Sequence, residues 1–495
     1  MTKTSSKPVL PLSLASLPQV SELGANVPDY RINKTSKNGI VHLGPGAFFR
    51  GHQAWYTHKV MEKFGGDWGI TAVSMRSAGV KEALQPQDGL YSLVELDKNI
   101  SHDIVGSITD VLVLGQDYDK LLNTLTSPDT HFVTMTITEK GYCLDAAGML
   151  DKKHPDIIHD LSDSKVKTSA IGLLSKALEL RFLSGTAPFC AVSCDNLTDN
   201  GKKLKQALVV YTATYNLALS DWLDEYFICP STMVDSITPA TDDALRKMVA
   251  DDFNVKDNWP IKRESFVQWV IEDCLPEHRP AWDRVGAILT NDVHGFEAAK
   301  LRLLNCPHST LAYLGVLMGI ETVFDAMQHT GLVAFITDLM DSEIIPSLTP
   351  PKELNPTSYS RDILDRFRNP TVKHLLSQIA WDGSQKLPMR ILPIIQSNLT
   401  DEREIRRLCY GIAAWILFVR HRYTTGEELV DPLAAQLLER ASQCNDDAEN
   451  DVSLFLDLGA IFPDLLNKSG LFKQTLVQVY AKLVPLLKSS EYVWF

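Results

Sequence analysis

Short, β-branched apolar runs alternate with longer amphipathic stretches over the first part of the chain. "GIVHL" (39–43), "GITAVSM" (69–75), "DIVGSI" (103–108), "FVTMTI" (132–137) and "FCAVSC" (189–194) are bounded by turn residues and read as strands buried on both faces. Between them "HQAWYTHKVMEKF" (52–64), "YDKLLNTL" (118–125) and "KTSAIGLLSKALELRFL" (167–183) carry helical spacing. This alternation predicts an α/β fold, a mostly parallel sheet with helices on its faces.

From about residue 296 the period changes. "KLRLLN", "STLAYLGVLMGIETVFDAM", "GLVAFITDLM", "RDILDRF", "VKHLLSQIA", "EIRRLCYGIAAWILFVRHR", "DPLAAQLLERA" and "LFKQTLVQVYAKLVPLL" all fit helices, and strand candidates almost vanish. "IIPSLTPPKELNPTS" (344–358) reads as a proline-rich surface connection. A chain of 495 residues also exceeds the roughly 250–300 at which single cores stop growing. The expected division is residues 1–292, α/β, and 293–495, mainly α-helical.

Composition narrows the class of partner. A formal net charge of −13 argues against general affinity for nucleic acid or anionic membranes. No apolar run reaches the roughly 18–20 residues of a membrane helix. The eight cysteines show no C-x-x-C pair and read as reduced thiols rather than a metal clip. In "MTKTSSKPVLPLSLASLPQV" prolines interrupt the apolar run that follows the lysines, so a cytoplasmic location is expected rather than secretion. Nothing marks a subunit interface; a monomer is compatible with the acidic charge.

The first candidate chemistry lies in "GIVHLGPGAFFRGHQAWY", where Gly44 and Gly46 stand between the first strand and a helix. Backbone without side chains can approach a pyrophosphate there, and a helix N-terminus favours its charge. Phe49 occupies the place of the third glycine in the usual fingerprint. After the second strand Arg76, Ser77 and Ala78 stand where a ribose-binding carboxylate is expected. Arg76 could meet a 2′-phosphate or stack on adenine, which leaves NAD against NADP open.

The second lies in "FEAAKLRLLNCPHS". At about 100° per residue Glu297, Lys300 and His308 fall within an arc of about 80°, and Asn305 widens it to about 140°. A solvated Glu–Lys face would look the same from spacing alone. Pro307 removes a donor and is expected to loosen the helix near Cys306. Asn196 ends an apolar strand in "AVSCDNLTDNG", where α/β sheets bind ligands, and Asp235 lies in "CPSTMVDSITPAT".

Taken in order, "GIVHLGPGAFFRGHQ", "TITEKGYC" (136–143), "SCDN" (193–196), "MVDSITP", "FVQWVIED" (266–273), "RPAWDRVGA" (279–287), "KLRLLNCPHS" and "DGSQKLP" (382–388) resemble the mannitol dehydrogenase family of polyol-specific long-chain dehydrogenases and reductases. The resemblance spans about residues 38–435. It implies a Rossmann-type first domain and a metal-independent hydride transfer between NAD, or NADP, and a secondary alcohol or ketone. By motif position, Ile40, Gly44, Gly46, Ala47, Phe48, Arg50, Arg76 and Thr138 would hold the nucleotide. Lys300 would be the general acid/base, with Asn196 and Asn305 donating to the reacting oxygen. His308 would orient the substrate, Glu297 would pass the proton to water, and Asp235, Lys386 and Gln378 would contact the substrate chain. Three positions depart from the family pattern: Ser236 for an arginine, Phe49 for a histidine, and "NCP" for "NGS" beside Asn305.

The segment "HLLSQIAWDGSQKLPMRIL" (374–392) resembles the fructuronate reductase branch, with Gln378 where mannitol enzymes tend to carry arginine. A uronate carboxylate needs a cation, for which Lys386 and Arg390 are candidates. The small-molecule partner is therefore expected to be a polyol, ketose or ketouronate, with D-fructuronate to D-mannonate preferred over mannitol–fructose interconversion. A cofactor-binding sensor without turnover is the alternative of another class. The presence of Lys300, Asn196, Asn305 and His308 argues against it.

Overall fold

The computed structural model describes residues 9–33, 37–96, 101–162, 164–371 and 374–485. The chain forms two compact units, Met1–His294 and Gly295–Phe495. The first eight residues of the opening stretch lie outside the described part, as do residues 372–373 of "VKHLLSQIA" and the end of "LFKQTLVQVYAKLVPLL". Among the described residues, no helix is long and apolar enough to cross a membrane.

The first unit is built on five parallel strands: β1 Ile40–Leu43, β2 Ile70–Ser74, β3 Ile108–Val113, β4 Phe132–Met135 and β5 Cys190–Ser193. Their order is β3-β2-β1-β4-β5. That is the order in which a doubly wound sheet reverses direction beside its first strand and opens a crevice at the carboxyl ends. Val41 and Leu43 face one hydrophobic cluster, with Leu121, Leu173 and Leu204, while Ile40 and Ala72 face another, with Phe49, Val60 and Trp269. Burial on both faces is why these strands are continuous apolar runs instead of alternating ones.

"DIVGSI" is not one strand. Ser101–Val105 pairs antiparallel with Tyr91–Leu96, and β3 begins only at Ile108. A Cβ at Gly106 would stand 2.7 Å from Pro28, so the chain can cross between the two sheets there only without a side chain. Two smaller three-stranded sheets, each with an antiparallel pair, and a two-stranded parallel pairing of Leu10–Pro11 with Val255–Lys256 complete the unit among the described residues. Their short strands (Thr232–Asp235, Gln268–Glu272, Ile288–Thr290) carry no period long enough to read from sequence.

The second unit is helical, with no named strand among the described residues. The buried helix Arg406–Thr425 packs on Cys306–Leu317 and on Gly470–Leu483. "STLAYLGVLMGIETVFDAM" is two helices, not one. Cys306–Leu317 stops at Gly319, whose φ of +70° lets the N–H of Ile320 turn back to the carbonyl of Gly315. Thr322 then caps Val323–Ala326.

Candidate active site

The turn after β1 is held from below. The His42 ring bonds Thr134 Oγ1 at 2.8 Å and Thr136 Oγ1 at 3.1 Å, and Thr136 Oγ1 donates to the Gly44 carbonyl at 2.7 Å. Burial pushes the His42 imidazole down to about 3, so it works here as a neutral ring. Phe49 lies on that ring, centroids 3.4 Å apart, which explains what replaces the missing third glycine: an aromatic stack joins helix Ala47–Gly51 to β1. Neither His42 nor this stack was visible in the sequence, where a histidine inside an apolar strand gives no signal of its partners.

The two glycines differ in kind. Gly44 has φ +90°, and a Cβ there would stand 2.2 Å from the Thr136 carbonyl oxygen, so the fold itself demands glycine. Gly46 is exposed with φ −73°, and a Cβ would meet nothing closer than 3.9 Å. Its bareness leaves room beside the backbone, the cradle a nucleotide pyrophosphate needs. Ala47 and Phe48 are half-buried beside it.

Ile40 and Arg50 lie inside the unit. Ile40 is a core residue. Arg50, 1% exposed, donates to the Trp259 carbonyl and to Thr241 Oγ1 and sits over the Trp259 ring. Both are buried, so as they stand they support the turn from within. Arg76 is the opposite case: it is exposed after β2 and makes no hydrogen bond or ion pair among the described residues.

After β4, Thr138 is held at φ +66°, which a threonine adopts at a cost. Asp195 compensates: its carboxylate accepts from the N–H groups of Ile137 (3.0 Å) and Thr138 (2.7 Å) and from the Tyr142 hydroxyl (2.7 Å). "TITEKGYC" and "SCDN" are thus one ionic knot across the carboxyl ends of β4 and β5. Burial raises the Asp195 carboxyl, and those three donors pull it back. Asn196 follows, exposed at the same edge. Asp235 is buried at the end of Thr232–Asp235, opposite Gln268. Ser236 donates to the Phe266 carbonyl at 3.0 Å, a local bond that ties its loop to the neighbouring one.

In the second unit, residues Lys300–Asn305 form a π-helical turn between Val293–Ala299 and Cys306–Leu317. The Cys306 N–H bonds the carbonyl of Leu301, five residues back. The wide turn answers Pro307, whose ring would clash with the carbonyl of Leu303 in an unbroken α-helix. The loosening expected near Cys306 takes this form: the helix widens ahead of the proline and continues. The even 100° wheel consequently misplaces Asn305, since an i→i+5 turn brings residue 305 back over residue 300. Lys300, Asn305, His308 and Glu297 are all half-buried.

His308 stacks on Phe367 (centroids 5.2 Å) and lies 5.8 Å from the ring of His374. Burial, then His374, Arg390, Arg366 and Lys386, push its imidazole down to about 3. We expect its ring resonances not to shift in an NMR titration from pH 8 to pH 5. An inflection near 6.5 would refute this environment.

Lys386 and Arg390 are four residues apart on Gly383–Arg390, both half-buried. Lys386 donates to the Ile379 carbonyl at 3.1 Å, next to exposed Gln378, and Arg390 to Ser309 Oγ at 2.9 Å. Neither forms an ion pair among the described residues. Burial lowers both, and Arg390 adds to the lowering of Lys386, which Asp382 and Asp431 partly offset. Like charges at i,i+4 oppose each other unless an anion joins them.

Residues 38–284 match the mannitol dehydrogenase Rossmann domain and residues 292–484 the mannitol dehydrogenase C-terminal domain. The chain is 38% identical to D-mannonate oxidoreductase of Escherichia coli K12 over 457 residues, covering 90% of this chain and 93% of that protein. It is 35% identical to mannitol 2-dehydrogenase of Aspergillus clavatus, covering 87% and 89%. Among solved structures it resembles mannitol 2-dehydrogenase of Pseudomonas fluorescens in ternary complex with NAD and D-mannitol, with a TM-score of 0.79 and 34% identity over 97% of this chain and 99% of that one. An α/β unit with nucleotide-binding strand order, followed by a helical unit, is what both family domains require, and the chain belongs to the mannitol dehydrogenase family.

Proposed function

We propose that the protein is an NAD-dependent reductase of a six-carbon ketouronate, converting D-fructuronate to D-mannonate and back. The observation that carries the sugar-acid reading is the Lys386–Arg390 pair beside His308. Two half-buried cations that form no ion pair among the described residues, with Asp382 and Asp431 acting on Lys386 only at longer range, suit a substrate carboxylate, which a neutral polyol lacks. The 38% identity to a D-mannonate oxidoreductase supports the same choice. Mannitol 2-dehydrogenation is the second reading, favoured by the likeness to the NAD and D-mannitol complex.

The Gly46 cradle fits a dinucleotide, with Gly44, Ala47 and Phe48 forming the turn and Thr138 and Arg76 at neighbouring strand ends. NAD, when bound, supplies or takes the hydride. In reduction, Lys300 gives its ammonium proton to the ketone oxygen; in oxidation its neutral amine takes the proton of the alcohol. Asn196 and Asn305 donate to that oxygen as it gains charge, and Glu297 relays the proton to water. Neutral His308 orients a substrate hydroxyl. Asp235, Gln378 and Lys386 position the chain, and Arg390 binds its carboxylate.

The test is kcat/KM for D-fructuronate and D-fructose, each with NADH and NADPH. Fructuronate should win by at least tenfold, and Arg390→Leu should erase most of that margin while leaving fructose turnover in place. An equal or reversed preference overturns the sugar-acid assignment.

A further inference from the structure

The sequence shows no metal motif, but a hairpin creates a donor set in the first unit. The 3₁₀ turn Glu139–Tyr142 ends at Cys143, a buried residue held at φ +52°. Leu144 and Leu150 then bridge antiparallel, and the N–H of Asp151 returns to the Cys143 carbonyl at 2.8 Å. His154 follows one turn later, its N–H on the Asp151 carbonyl at 3.0 Å, and opens the helix Pro155–Leu161. In this way Cys143 Sγ, an imidazole nitrogen of His154 and a carboxylate oxygen of Asp156 all come within 4.8 Å of one another.

We propose that Cys143, His154 and Asp156 bind one zinc ion. Thiolate, imidazole and carboxylate together are a zinc donor set, too soft for magnesium or calcium. Three protein ligands leave a fourth position for water. Half-exposed His154 and exposed Asp156 give the ion a way in. The surroundings are anionic. Asp151 and Asp160 lie near Cys143 besides Asp156, and their charge attracts a dication. Asp160 is not a ligand, because its oxygens accept four bonds of 2.6–3.1 Å from Thr168 and Ser169, whereas His154 Nδ1 accepts only one long bond, from the Asp156 N–H at 3.3 Å. On binding, the S–H bond breaks and a Zn–S bond forms, the proton leaves to solvent, and nothing is oxidised or reduced. The ion ties the 144–150 hairpin to the helix Pro155–Leu161, just past the Thr138 strand end.

The experiment uses full-length, tag-free protein stripped with a chelator and titrated with Co²⁺ as the probe. We expect a thiolate-to-cobalt charge-transfer band that saturates at one equivalent and is bleached by Zn²⁺. Cys143→Ser should remove the band, and His154→Ala should weaken binding at least tenfold with circular dichroism unchanged. Zn²⁺ should also raise the melting temperature of the stripped wild type and not that of His154→Ala. No thiolate band at millimolar Co²⁺, a band that survives Cys143→Ser, or wild-type affinity in His154→Ala would each overturn the site.

Discussion

Lys300→Ala should lower kcat for ketouronate reduction by about 10²–10⁴-fold, the usual worth of a positioned acid/base group. That is about 3–5 kcal/mol of barrier. The loss should fall on kcat and kcat/KM together, because the proton is needed only as the substrate oxygen changes charge. NADH should still quench or enhance fluorescence on binding as in wild type, since the turn at Gly44–Gly46 is part of the other unit. Lys300→Arg should rescue little, as guanidinium stays protonated and cannot return the proton. Turnover within tenfold of wild type in Lys300→Ala would assign the proton to another group. A protein with no turnover on any ketose or ketouronate in its wild-type form would instead favour the sensor reading.

The second large effect is expected in stability, and it separates the two glycines of the turn. Gly44→Ala must place a methyl 2.2 Å from the Thr136 carbonyl oxygen at φ +90°. The backbone penalty of roughly 1–2 kcal/mol and a steric clash of roughly 1–3 kcal/mol add to about 3 kcal/mol. In thermal unfolding the transition of the first unit should fall by several degrees. Gly46→Ala should do the reverse: little change in melting, since φ is −73° and no atom lies within 3.9 Å, but NADH binding at least tenfold weaker. Normal NADH affinity in Gly46→Ala would sink the cradle; an unchanged melting curve in Gly44→Ala would sink the turn geometry.

Much of the architecture was readable along the chain. β1, β2, β4 and β5 fall within the apolar runs assigned to them, because strands covered on both faces are mostly apolar and admit a polar residue such as His42 only with a hydrogen-bond partner. The run at 103–108 misled because a glycine crossing between two sheets looks, in one dimension, like the middle of a single strand. The short antiparallel strands went unread for lack of length.

At the candidate site the residue types were legible and their surroundings were not. Asp195 sits inside the quoted "SCDN", yet its work is to hold Thr138, far away in sequence. Arg50 is near the glycines in sequence, yet it is buried and donates to the Trp259 carbonyl. Pro307 signalled a disturbance of the helix, but only a packed turn chooses between fraying and widening. The π turn keeps the helix continuous while shifting the phase of Asn305 and His308 against Lys300.

Local chemistry and period, both short-range properties, were written into the order of residues: two units of different class, a glycine bend after the first strand, and a lysine, asparagine and histidine on one segment. Folding alone settled which of those groups stay in contact with solvent, which charges go unpaired and which imidazoles are kept neutral. Such properties depend on burial and on neighbours brought from distant segments, and no stretch of a chain carries its own neighbours.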